Sequence, residues 1–140
     1  MPVRVCSDIY PDMGPVGGVH AALANAESEY IYLMACDMPV FCPEYVQYMM
    51  EQVMAHKPDV CVTRVNDWIE PFNSFYRTDL LPAFDRHLQE GKTSMFYLLH
   101  TLNLMEIQEE TAQKFDENLA MFCNLNTPKD FERFFRTNLA

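Results

Sequence analysis

Basic residues are scarce in this 140-residue sequence, in which ten Lys and Arg face twenty Asp and Glu and the formal charge is −10. The shortage argues against non-specific binding to nucleic acid, because that binding depends on many Lys and Arg contacts to phosphate. A small phosphorylated ligand is still compatible with this charge. It would need a metal ion or backbone N–H groups to offset the repulsion.

Cysteine and histidine patterns typical of metal sites are also lacking. The five Cys form no CxxC pair, and the four His are far apart and form no HExxH pattern. Metal–thiolate and zinc chemistry therefore have little support, and an odd number of Cys among apolar neighbours favours buried free thiols in a reducing cytosol.

No uncharged run reaches the roughly 18 residues of a membrane span, and Arg4 and Asp8 interrupt the start of the chain. We expect a cytoplasmic protein with neither a membrane nor a nucleic acid as partner.

Strand-like and helix-like segments alternate along the chain. Residues 30–36 form a continuous apolar run, which is typical of a central strand buried on both faces. Alternating apolar and β-branched residues predict further strands, amphipathic spacing predicts helices between them, and 121–126 reads as an extended piece. The pattern predicts one domain over 1–140, a three-layer α/β/α fold with a mainly parallel sheet. The predicted strands are 3–7, 30–36, Val60–Val65, 71–77 and 103–110.

Asp37 follows the apolar run directly and precedes Pro39. In parallel α/β sheets, ligands gather beyond the carboxyl ends of the strands, and a carboxylate placed there is suited to Mg²⁺. The alternative is an Asx-type turn in which the Asp37 side chain bonds the backbone before Pro39. The residues alone leave both readings open.

Two further segments have polar or flexible residues beside predicted helices. Gly14, Gly17 and Gly18 lie between a predicted strand and a helix, in a pattern that is neither a P-loop nor GxGxxG. They either let a ligand approach the backbone or simply form a turn. Asn124 and Asn126 point the same way if the chain is extended there, so they either reach one ligand or precede a helix start.

The order of these segments resembles the molybdenum cofactor guanylyltransferase family. The resemblance rests on "GPVGGVHAAL", a strand ending in "CDMP", "EPFNSFYRTDLLPAF" and "NLNTP", and it implies the nucleotide-diphospho-sugar transferase fold. The implied reaction is transfer of GMP from GTP to molybdopterin with Mg²⁺. Asp37 would be the catalytic metal ligand, Asp8 with Gly14, Gly17 and Gly18 would line the nucleotide pocket, and Asn124 and Asn126 would bind molybdopterin.

The chain departs from this family in two places. It has no segment of the type LAGGxSxRMGxDK, which wraps the triphosphate in family members, so we expect a partial domain truncated at its N-terminus. Asn73 stands in "PFNSFY" where relatives usually have an apolar residue. A truncated sheet would expose a strand edge and favour self-association.

Two other functions fit the same residues. One is a cytidylyl- or sugar-nucleotide transferase of the same fold, because base choice depends on the pocket around Asp8 and Gly14. The other is a non-catalytic molybdopterin-binding or assembly protein.

Overall fold

A computed structural model describes residues 3–125 and 127–138, and it contains a four-stranded sheet in the order β1-β3-β2-β4. Strand β3 is antiparallel to both of its neighbours, whereas β2 and β4 are parallel. Three strands therefore run in one direction and only β3 runs against them. The strands are β1 Tyr30–Leu33, β2 Val60–Val65, β3 Trp68–Arg77 and β4 Leu104–Ile107.

Several helices begin at residues suited to that position. A proline lies in the first turn of each of α1, α2 and α3, where its missing N–H costs no helical hydrogen bond. Thr127 and Asp130 form a capping box at the start of α6, each side chain accepting from the other's backbone N–H. The helices are α1 Gly14–Asn25, α2 Pro43–His56, α3 Leu81–Gln89, α4 Met95–Leu99, α5 Glu109–Gln113 and α6 Pro128–Asn138, with 3-10 turns at Thr78–Leu80 and Ala120–Phe122.

Two hydrophobic clusters lie on opposite faces of the sheet. Val60 and Val62 of β2 face α1, α3 and α4, whereas Cys61 between them faces α2 and α5. Successive strand residues point to opposite faces, so a strand apolar on both faces needs helices on both. Each fully buried side chain of this kind, such as Phe84, stabilises the fold by about 1.5–3 kcal/mol. The layered α/β prediction is confirmed.

Three strand predictions need correction. Residues 3–7 form no strand, because Val3 and Val5 are 82% and 88% exposed and, in the described part of the chain, no strand pairs with them. The apolar run at 30–36 yields a strand of only four residues, and β1 lies at an edge of the sheet rather than at its centre. The segment 121–126 begins with the end of a 3-10 turn instead of a strand.

The thiols are free but mostly not buried. Cys61 is buried, Cys42 is half-buried, and Cys6, Cys36 and Cys123 are exposed. The prediction of buried thiols is therefore wrong for three of the five. Apolar neighbours in sequence did not predict burial, because all three exposed thiols lie outside helices and strands. Across the described ranges, no helix is both long enough and apolar enough to cross a membrane.

Candidate active site

Asp37 lies in a tight turn just beyond β1. The turn is closed by the backbone N–H of Met38, which donates to the carbonyl of Ala35 at 3.1 Å. Asp37 is half-buried, and within residues 3–125 and 127–138 its carboxylate has no hydrogen-bond partner. The structure does not show the Asx-turn alternative, because the Asp37 carboxylate accepts no hydrogen bond from the described backbone. The carboxylate is thus available to a ligand.

The segment containing Asn124 lies directly against this turn. The backbone N–H of Leu125 donates to the carbonyl of Asp37 at 2.7 Å, and the Leu125 side chain is buried. Asn124 is exposed beside it. Asn126, the second predicted molybdopterin ligand, falls outside the described residues. The structure therefore brings together Asp37 and Asn124, which lie 87 positions apart in the sequence.

Tyr32 and Asn73 lie near this junction and were not predicted as part of the site. The Tyr32 hydroxyl donates to the Asn73 side-chain oxygen at 2.9 Å, and the Asn73 amide donates to the Met121 carbonyl. Burial raises the pKa of Tyr32, so its hydroxyl stays protonated and serves as a donor. The sequence signal was an asparagine inside a strand pattern, which is unusual because strands are poor in this residue.

The glycine-rich segment takes the conformation for which glycine is suited. Gly14 has φ +64° at the start of α1, a region that other residues rarely adopt. Gly17 is buried against the preceding loop, and a Cβ built there would lie 3.0 Å from the Tyr10 carbonyl oxygen and 3.5 Å from Asp8 Oδ2. The backbone at Gly17 thus comes close to the Asp8 carboxylate.

An open groove runs between α1 and β1. Its volume is about 380 Å³, and Asp8, Gly18, Tyr32 and Leu33 are among the residues lining it. Tyr32 belongs both to this groove and to the hydrogen bonds beside Asp37. Two of the predicted nucleotide residues therefore share a groove that extends to the end of β1. Gly14, by contrast, is exposed, with nothing within 4 Å of a Cβ built on it.

The described residues contain no cluster of three or more His, Cys, Asp or Glu side chains able to enclose a metal ion. Asp37 would therefore have to act as an isolated protein ligand. Such a site suits Mg²⁺, which is often bound through one or two carboxylates with substrate phosphates and water. It does not suit structural zinc, which requires four protein ligands.

Comparison with known proteins identifies relatives over most of the chain. The family model described as "MobA-like NTP transferase domain" matches residues 1–104. The "Molybdenum cofactor guanylyltransferase" of Syntrophotalea carbinolica is 42% identical over 135 residues, covering 96% of this chain. A "Probable molybdenum cofactor guanylyltransferase" from Peptoclostridium acidaminophilum is 38% identical over 136 residues.

A solved structure agrees with the fold. The crystal structure of "Molybdopterin-guanine dinucleotide biosynthesis protein A" from Archaeoglobus fulgidus superposes with a TM-score of 0.78 at 27% identity, covering 89% of this chain. The chain spans only 62% of that structure, and 64% and 62% of the two sequence relatives. It thus corresponds to somewhat less than two thirds of each relative's length.

Proposed function

Because the chain belongs to the MobA-like NTP transferase domain family, we propose that it carries the metal-binding and acceptor-binding part of a guanylyltransferase that moves GMP from GTP to molybdopterin. The observation that carries this proposal is the 2.7 Å hydrogen bond from the Leu125 N–H to the Asp37 carbonyl. It holds Asp37, whose carboxylate has no partner among the described residues, against the segment that contains the exposed Asn124. In this proposal residues 1–140 are part of one domain.

The proposed reaction joins two anions, so its main demand is alignment. An oxygen of the molybdopterin phosphate attacks the α-phosphorus of GTP, the bond from that phosphorus to the bridging oxygen breaks, and pyrophosphate leaves. Reactions of this kind are accelerated mostly by positioning and by stabilising the charge that develops on phosphate oxygens. A Mg²⁺ ion bound to Asp37 would supply that charge stabilisation when present.

Different residues of the protein would bind the two substrates. Asn124, and Asn126 beyond the described part, would donate amide hydrogen bonds on the molybdopterin side. The exposed carboxylate of Asp8 can accept from the adjacent N–H and amino groups of guanine, while the backbone around Gly14, Gly17 and Gly18 allows close approach of the nucleotide. Cytosine does not present two neighbouring donors, so Asp8 favours guanine over the cytidylyl alternative.

A non-catalytic molybdopterin-binding protein is the second candidate, and the charge of −10 favours it. An acidic chain repels a triphosphate more strongly than the single phosphate of molybdopterin, unless cations offset the charge. This candidate predicts molybdopterin binding without Mg²⁺-dependent GTP binding. Either protein would act in the cytoplasm, where its free thiols stay reduced.

Calorimetry of the 140-residue chain tests the proposal. We expect GTP to bind only with Mg²⁺, Asp37→Asn to weaken that binding at least about tenfold, or 1.4 kcal/mol, and CTP to bind more weakly. Asp79→Asn is the matched control, since Asp79 pairs with Arg77 at the opposite end of the sheet. Molybdopterin binding alone would favour the second candidate, and failure to bind either ligand would exclude both functions for this chain.

The open edge of β1 supports a further proposal, that two copies associate through it. Strand β1 pairs only with β3 in the described sheet, and Ile31 and Leu33 are only half-buried beside the groove. Unpaired strand edges readily pair with another chain. Analytical ultracentrifugation should show a dimer that Ile31→Lys weakens, whereas a monomer at high concentration would contradict the proposal.

A further inference from the structure

The pairing of β3 with β2 is interrupted by a large bulge beside the end of β1, where Leu33 pairs with Ser74. In the ladder with β2, Cys61 pairs with Phe75 and Thr63 pairs with Glu70, so one residue of β2 faces four residues of β3, at positions 71–74. Asn73 lies within this bulge with φ +54°. Left-handed backbone is costly for most residues and is best tolerated by Gly, Asn and Asp. Bulges often redirect a side chain near an active site.

The redirected side chain of Asn73 is fully enclosed. It is 0% exposed, its oxygen accepts from the Tyr32 hydroxyl, and its amide nitrogen donates to the Met121 carbonyl and lies 3.8 Å from the sulfur of Met38. A carbonyl can only accept, so the contact to Met121 fixes which end of the carboxamide is nitrogen. A buried amide is stable only when its polar atoms are paired, so these contacts restrict the segments that make them.

The contacts of Asn73 reach three separate segments of the candidate site. Tyr32 lies at the end of β1, Met38 is the neighbour of Asp37, and Met121 precedes Asn124 by three positions. The bond from Leu125 to Asp37 joins two of these segments directly. One buried amide therefore supports both the turn that presents Asp37 and the segment that presents Asn124.

We propose that Asn73 is the positioning residue of this site: its carboxamide sets the distance between the Asp37 carboxylate and the Asn124 amide. This role rests on the proposed function, since it assigns Asp37 to the metal-bound nucleotide and Asn124 to the acceptor. An apolar residue at this position could not perform it, because it has no polar atoms to make these contacts. A leucine would leave the Tyr32 hydroxyl and the Met121 carbonyl without these partners.

Native-state hydrogen exchange tests the role without any ligand. The Leu125 N–H is held by the Asp37 carbonyl, and the Arg77 N–H, at the far end of β3, is held by the Asp59 carbonyl at 2.9 Å. In Asn73→Ala the amide exchange rates of both residues are compared with those of the parent. The factor by which the rate at Leu125 increases should be at least ten times the factor at Arg77. Equal changes at both amides, which would mean general destabilisation, would overturn the proposal, as would no change at Leu125.

Two variants keep the test sound. Asn66 also has positive φ, +56°, but is exposed in the turn between β2 and β3. Asn66→Ala therefore also places an alanine in left-handed backbone, but it removes no buried amide contacts. We expect it to leave the exchange rate of the Leu125 amide unchanged. If Asn73→Ala does not fold, Tyr32→Phe removes only one hydroxyl from the same contacts and should raise Leu125 exchange by a smaller factor. No selective rise in Tyr32→Phe would count against the role.

Binding measurements separate this inference from the function on which it rests. If the parent binds Mg²⁺ and GTP, Asn73→Ala should weaken that binding several-fold, while Asn66→Ala should not. If the parent binds neither, the proposed function fails. The exchange result at Leu125 still decides whether Asn73 holds the two segments together.

Discussion

Leu125 and Asp37 are joined through backbone atoms alone: the N–H of Leu125 donates to the carbonyl of Asp37 at 2.7 Å. The fold therefore uses the backbone of Asp37 and leaves its carboxylate without a partner in the described structure. Structural and chemical roles are separated within one residue. Substitution of the side chain can accordingly test the chemistry without disturbing the fold.

Asp37→Ala should leave the free energy of unfolding within about 0.5 kcal/mol of the parent, because no described contact of the carboxylate is lost. The matched comparison is Asp116→Ala. Asp116 Oδ2 accepts from the Met121 N–H at 3.0 Å, so its loss should cost about 1 kcal/mol. Urea denaturation of both variants measures the difference, and an equal loss of stability would show that the Asp37 carboxylate has a structural role.

Gly17 and Gly18 provide a second matched pair. A Cβ at Gly17 would meet the Tyr10 carbonyl oxygen at 3.0 Å, whereas at Gly18 it would meet nothing within 4 Å. Gly17→Ala should destabilise the protein by about 1 kcal/mol through overpacking. Gly18→Ala should stabilise it by about 0.4–1 kcal/mol, because alanine restricts the unfolded chain and favours a helix. Denaturant midpoints measure both changes, and the same sign for both would contradict the close approach at Gly17.

Asp85 should matter to stability because it pairs with a buried histidine. His20 is 2% exposed, and its Nε2 lies 2.5 Å from Asp85 Oδ1, which ties α1 to α3. Asp85→Ala would leave that nitrogen unpaired and should cost about 1–3 kcal/mol. Glu27→Ala is the control, since the one described partner of Glu27 is Arg4, in an exposed pair, and this variant should change stability by less than about 0.5 kcal/mol.

The layered fold was predictable because it depends on local patterns. Both ends of the strand Val60–Val65 were predicted correctly, because a β-branched run that follows Pro58 is a local strand signal. The direction of β3 was not predictable, because an antiparallel partner is chosen by packing rather than by the strand's own residues. Residues 3–7 alternate like a strand, but alternation forms a strand only where another strand offers hydrogen bonds.

The site was predictable only in part for a related reason. Asp37 is adjacent to a strand end, which is a local signal. Its neighbour Leu125 and the contacts of Asn73 join segments 35 to 88 positions apart. The spacing patterns that predict helices and strands describe neighbours within one segment, so they cannot predict contacts between residues this far apart. The unusual asparagine in "PFNSFY" was visible, but its meaning depended on the bulge that turns it inward.

Cysteine accessibility gives a test of the fold that needs no variant. Burial raises the pKa of Cys61 to about 12, so its thiol is both enclosed and protonated at neutral pH. Cys6, Cys36 and Cys123 are exposed, and Cys42 is half-buried. With a thiol reagent and mass spectrometry, three sites should react quickly, Cys42 slowly, and Cys61 only in denaturant. Rapid labelling of Cys61 in the native protein would contradict its place between the sheet and α2.

Glu70 should make stability depend on pH. Burial raises the pKa of Glu70 above its ordinary value of 4.5, so the folded state holds this proton more tightly than the unfolded chain does. The contribution of Glu70 to the free energy of unfolding therefore falls as the pH rises from 4.5 through the folded pKa, and stays low above it.

Glu70→Gln removes the charge and should be more stable than the parent at pH 7, by less than about 1 kcal/mol because the site is half-exposed. Near pH 3.5 the two proteins should differ little, since Glu70 is then mostly protonated in both states. Denaturation at several pH values measures the difference, with exposed Glu51→Gln as control, and a gain that did not grow with pH would show that burial does not hold the Glu70 proton.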